Sequence, residues 1–148
     1  MDNKGYIVAP LTVRAVNQHD TMLFPESLER FVEHAQYAEL SIYDSFITLD
    51  SGFDSSFNRS LIESFGLIPV IKPNRRSIED PEKLLALYEE FDYFKDVYEE
   101  RYKVERTFAW QDTYRKLVIR YERLQCTFTG FRYLAYSMIN LRTFFNRF

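Results

Sequence analysis

Ser45–Ile71, SFITLDSGFDSSFNRSLIESFGLIPVI, is the stretch on which the fold turns. Its first six residues, SFITLD, are short, apolar and partly β-branched, and they run into Ser51-Gly52, which reads as a strand ending in a turn. A helix is expected from about Ser55 to Phe65, with Asp54 as its cap and Gly66 ending it. Leu67–Ile71, an unbroken apolar run, reads as a buried strand. Strand, helix and strand in this order are compatible with an α/β fold. The first strand also delivers Asp50 at its C-terminal end into a turn. That placement suits a metal-binding carboxylate aimed into a cleft and, on position alone, more readily an Asp that makes a turn hydrogen bond.

Downstream comes Lys72-Pro73-Asn74-Arg75-Arg76, three cations in five residues. The loop suits a nucleic-acid backbone, and equally plain solvation. Residues 77–100 hold nine acids against Lys83 and Lys95 and should contain a helix from Pro81 to about Glu90, a solubilising surface. Tyr98–Lys116, YEERYKVERTFAWQDTYRK, has no Gly or Pro and reads as one long helix. On it Arg101, Glu105, Phe108 and Asp112 fall three or four residues apart on one face, with Tyr98 just before them. A surface ion pair between Glu105 and Arg101 is the plainest reading of that face. The C-terminal helix, about Thr127 to Phe145, mixes Phe128, Phe131, Leu134, Met138 and Leu141 with Arg132 and Arg142, as an amphipathic core helix does.

Upstream, Tyr6–Val16 has strand-forming residues, and Pro10 within it predicts an edge strand or a bulge. His19 and Asp20 are adjacent and suit capping or turn hydrogen bonding. A helix should then run from Pro25 to about Ala38, with Leu28, Phe31, Val32 and Ala35 on one face.

The whole chain is 148 residues with 46% hydrophobic and 28% charged residues, values that suit one globular domain, 1–148. Its single cysteine, Cys126, excludes an internal disulfide and reads as a buried thiol. The N-terminus has no signal-peptide pattern and no apolar run reaches membrane-spanning length, so a soluble cytoplasmic protein with no membrane partner is expected. Net charge is only −3, but residues 101–148 carry ten basic against three acidic residues (+7), while residues 1–100 carry nine against nineteen (−10). A basic face of that kind attracts phosphate.

Tyr98, Arg101 and Glu105 reproduce a Y-x2-R-x3-E pattern. With the flanking VERTFAW and RYERLQCTFTGFRYLAYSMINLR, and with LDSGFDSSFNRSLIESFGLIPVIKP around Asp50, the chain resembles insertion-sequence DDE transposases of the four/five-like group, in the C-terminal part of the catalytic domain. The resemblance implies a ribonuclease H-like (RNase H-like) α/β fold with a helical C-terminal part. It implies DNA strand cleavage and joining by two-metal phosphoryl transfer, with Mg²⁺ or Mn²⁺ held by Asp50 and Glu105 as catalytic carboxylates. Tyr98, Arg101, Lys72, Arg75, Arg76, Arg115 and Lys116 would contact DNA. The implied partners are the terminal inverted repeats, the target DNA, a second copy on that DNA, and an upstream or full-length transposase polypeptide, at the nucleoid.

Three departures from the family pattern stand out. The first family Asp has no counterpart, since Asp2 lies in an opening turn and Asp20 is not borne on a strand. Asp112 occupies the place of the family Lys seven residues after the Glu. The first strands of the sheet are missing. The expectation is therefore an incomplete fold from a truncated or split gene, inactive alone. The rival is a non-catalytic DNA-binding or regulatory fragment that associates with a full-length transposase.

Overall fold

In the computed structural model, residues 1–12, 20–76, 78, 80–119 and 121–145 are described. Contacts divide the chain into two compact units, Arg14–Glu100 and Met1–Val13 with Arg101–Phe148. The charge asymmetry follows this division. Eight basic against eighteen acidic residues give the first unit −10, and eleven against four give the second +7.

The Arg14–Glu100 unit is built on two strands, β1 (Phe46–Leu49) and β2 (Ile68–Ile71), which pair in parallel with Phe46 opposite Ile68 and Leu49 opposite Ile71. Helix α2 (Ser56–Ser64) connects them, as a parallel pair requires of its crossover. Its N-cap is Ser55, whose hydroxyl accepts from the Asn58 N–H at 3.1 Å. Asp54 was the expected cap, and it is committed elsewhere. At the other end Gly66, at φ 70°, closes a Schellman motif in which the Gly66 N–H donates to Glu63 O (2.9 Å) and the Leu67 N–H to Ile62 O (3.3 Å). The Tyr43 ring lies 2.7 Å from where a Cβ on residue 66 would stand, so only glycine fits both the angle and the space.

Helix α1 (Asp20–Tyr37) begins more than a turn before the expected Pro25, which lies inside it. Phe24, Leu28, Val32 and Ala35 recur at helical spacing and are buried, and Phe31 is partly buried beside them. The first three join Ile62, Leu67 and Ile71 in the core. Asp80 caps α3 (Pro81–Tyr93) through the N–H groups of Glu82 and Lys83, with Pro81 at its first position.

The long helix expected over Tyr98–Lys116 is instead three: α4 (Lys95–Glu99), α5 (Tyr102–Asp112) and α6 (Arg115–Val118). The Val104 N–H bonds Arg101 O, a three-residue step that interrupts the α ladder at the first break. The second break falls at Thr113-Tyr114, where Tyr114 takes an extended backbone (φ −89°, ψ 93°).

The other unit packs α5 and α6 against α7 (Gln125–Phe145). The strand expected at Tyr6–Val16 is not formed over residues 6–12, and the rest of it, with His19, lies outside the described residues. Asn140 on α7 explains the difference. Its side-chain oxygen accepts from the Ile7 N–H (2.8 Å) and its amide donates to Ile7 O (3.0 Å), taking both groups that a strand ladder would use. The Leu11 N–H is likewise bonded by the Tyr133 hydroxyl at 3.3 Å.

Helix α7 buries Phe128, Ala135, Ile139 and Thr143. Of the apolar face expected for it, Leu134, Met138 and Leu141 are at least half exposed, because the inward stripe runs one residue round from Leu134 and Met138 and two from Leu141. Cys126, expected to be buried, is exposed. Two residues before Phe128, it sits some 200° round the helix from the buried side.

Candidate functional site

Because β1 and β2 are parallel, their carboxyl ends share one edge of the sheet, where α/β folds commonly place ligands. Asp50 follows Leu49 and Lys72 follows Ile71, so these oppositely charged residues leave adjacent positions of the register. Asp50 is exposed and caps a 3₁₀ turn, Ser51–Phe53, with its carboxylate accepting from the Ser51 N–H at 2.8 Å. The turn hydrogen bond and the position at the strand end therefore occur together.

Asp54 holds this edge in shape. It is buried, pairs with Arg59 Nε at 2.9 Å, and accepts from the Asn74 N–H at 2.7 Å. Arg59 in turn donates to Ile71 O at 2.9 Å. One buried ion pair thus ties α2 to the end of β2 and to the basic loop after it. Sequence reading missed this link; its signal is an Asp and an Arg five residues apart, flanking the Ser55 cap. Within the loop, Lys72, Arg75 and Arg76 are exposed, and the Arg75 guanidinium lies 5.8 Å from the centre of the Tyr88 ring. Tyr98, on α4, is half-buried and packs edge-on against Phe91 at 4.9 Å.

The other unit holds the remaining motif residues. Arg101 stands at the N-cap of α5 and is half-buried. Glu105 is exposed in the first turn, where the helix dipole favours a negative charge. Thr107, two positions on, is buried, so Glu105 projects from the opposite side of the helix. Among the described residues Glu105 makes no ion pair, and the expected bridge to Arg101 is not formed. Asp112 is exposed at the C-terminal end of α5, the end where an acid is least favoured. Arg115 is exposed and, with Tyr114, Leu117, Phe131, Leu134 and Met138, lines an apolar cavity of about 250 Å³; Lys116 follows it on α6.

The family model for the transposase DDE domain matches residues 47–142, about two thirds of the chain, from the second residue of β1 to near the end of α7. The chain belongs to the transposase DDE domain family. No curated protein and no solved structure matches it. DDE transposases act on DNA and use divalent metal ions. Asp50 and Glu105 are hard oxygen donors of the kind such ions take. Among the described residues, however, no three His, Cys, Asp or Glu side chains gather closely enough to hold a metal. Asp54 is already spent on Arg59 and Asn74. No helix among the described residues is long and apolar enough to cross a membrane.

Proposed function

We propose that the chain is the C-terminal part of an insertion-sequence DDE transposase of the four/five-like group, serving DNA cleavage and strand joining, with an RNase H-like catalytic fold spanning 1–148. Asp50 and Glu105 are its metal-binding catalytic carboxylates, and the third comes from outside residues 1–148, as an upstream fragment or a full-length transposase would supply it. The placement of Asp50 supports this best: an exposed carboxylate at the carboxyl edge of a parallel β–α–β unit, in register beside Lys72 and the basic loop. Bound Mg²⁺ or Mn²⁺ would supply activation of the attacking oxygen and stabilisation of the leaving one. The chain's own cations, Lys72, Arg75, Arg76, Arg101, Arg115 and Lys116, together with Tyr98, would hold the phosphate backbone of the inverted repeat and the target. Work as an oligomer on DNA, at the nucleoid, belongs to the same reading.

The second reading is a DNA-binding regulator without catalysis, and two features favour it. Asp112 puts a negative charge where phosphate should be held, and the +7 unit retains its attraction for DNA. The two readings separate on Mg²⁺-dependent cleavage of DNA carrying the flanking inverted repeat, assayed with the chain alone and with the polypeptide encoded directly upstream. Cleavage that needs both chains and is abolished by Asp50→Asn or Glu105→Gln is the expected result. DNA binding without cleavage in either mixture would establish the regulator instead.

A further inference from the structure

Trp110 on α5 is flanked by two guanidinium groups, Arg106 at 5.0 Å and Arg142 of α7 at 4.8 Å from the ring centre. Both arginines are exposed, and neither has a carboxylate partner among the described residues. The two cations therefore lie closer together than the roughly 10 Å over which salt screens charge, and they repel one another. Stacking on the indole face holds each of them without using its N–H groups, which remain available as a planar fork.

The opening turn of the chain builds the rest of the surroundings. Gly5 takes φ 89°, and a Cβ on it would stand 3.2 Å from Arg106 Nη2 and 3.8 Å from a Thr143 methyl, so the guanidinium end lies directly over this backbone. Lys103 donates to Asn3 O of the same turn at 2.7 Å, and Lys4 is exposed on it. Asp2 is the acid of that turn, and its Oδ1 already accepts from the N–H groups of Lys4 (2.9 Å) and Tyr6 (2.8 Å).

From this arrangement we infer a phosphate-binding site for the DNA backbone, made by Arg106 and Arg142 on Trp110. It is distinct from the Tyr98–Arg101–Glu105 motif. The choice of DNA as the source of the phosphodiester rests on the transposase reading; the anion preference rests on the cluster alone. Guanidinium groups pre-set in orientation suit bidentate contact with phosphate oxygens, and such contact carries no base preference.

The test is the salt dependence of binding to a fluorescent 20-base-pair duplex of arbitrary sequence by the full chain. Each phosphate contact contributes about 0.9 to the slope of log K against log salt. Arg106→Gln with Arg142→Gln should lower the slope by nearly 2, and Lys at both positions should retain the slope with weaker binding. Trp110, the only tryptophan of the chain, supplies a second readout that needs no variant. Its emission should be quenched more by iodide than by caesium once each is scaled to its quenching of free N-acetyltryptophanamide, and DNA should abolish the excess. An unchanged slope, or equal quenching by the two ions, would overturn this site while leaving the transposase reading intact. Failure of the unaltered chain to bind DNA at any salt would overturn both.

Discussion

Asp54 shows how much one side chain can settle. Its carboxylate and the Arg59 guanidinium are almost fully removed from water, at 3% and 13% side-chain exposure, so neither charge can recover hydration if the other is lost. Asp54→Ala is expected to cost about 3–5 kcal/mol, the range for removing one partner of a buried pair. Ser55→Ala, which removes only the α2 cap, should cost about 1 kcal/mol. Urea unfolding followed by circular dichroism measures both; a cost below 1 kcal/mol for Asp54→Ala would mean that the pair does not hold the sheet edge. The same residue marks a limit of reading sequence alone. Asp54 and Ser55 are both good cap residues, and local propensity cannot say which of them is claimed by a guanidinium five positions on and a loop twenty positions on.

At the scale of elements, what was legible was periodic or punctuated. The strand-turn-helix-strand order of Ser45–Ile71 could be read because apolar runs, caps and Gly66 all favour it locally. Helix α3 was announced by Asp80-Pro81, and the core face of α1 by its 3.6-residue spacing. What failed depended on partners distant in sequence. Residues 6–12 have strand propensity, but Asn140, 133 positions away, satisfies Ile7 in place of a ladder. Asn140→Ala would leave two backbone groups of Ile7 unpaired and should cost about 1–3 kcal/mol. Hydrogen exchange at the Ile7 amide should accelerate at least tenfold; an unchanged rate would refute the role given to Asn140. The three-way division of Tyr98–Lys116 was equally hidden, because no Gly or Pro marks either break.

At the scale of the whole molecule, two units of opposite charge share one family domain. The acidic unit carries Asp50, the basic loop and Tyr98; the basic unit carries Arg101, Glu105, Arg115 and Lys116. The motif Tyr98–Arg101–Glu105 is therefore divided between the units after Glu100. Family membership was legible in residue types and spacing, because a short linear pattern survives in sequence. The Arg106–Trp110–Arg142 stack was not, since it joins α5 to α7 across 36 positions.

Manganese binding to the unaltered chain, followed by the loss of the free-ion electron paramagnetic resonance signal, tests the assignment of Asp50 and Glu105 most directly. If these are the metal-binding carboxylates of the domain, Asp50→Asn and Glu105→Gln will each weaken Mn²⁺ binding at least tenfold while leaving the circular dichroism spectrum unchanged. Affinity that is the same in all three proteins would contradict the assignment.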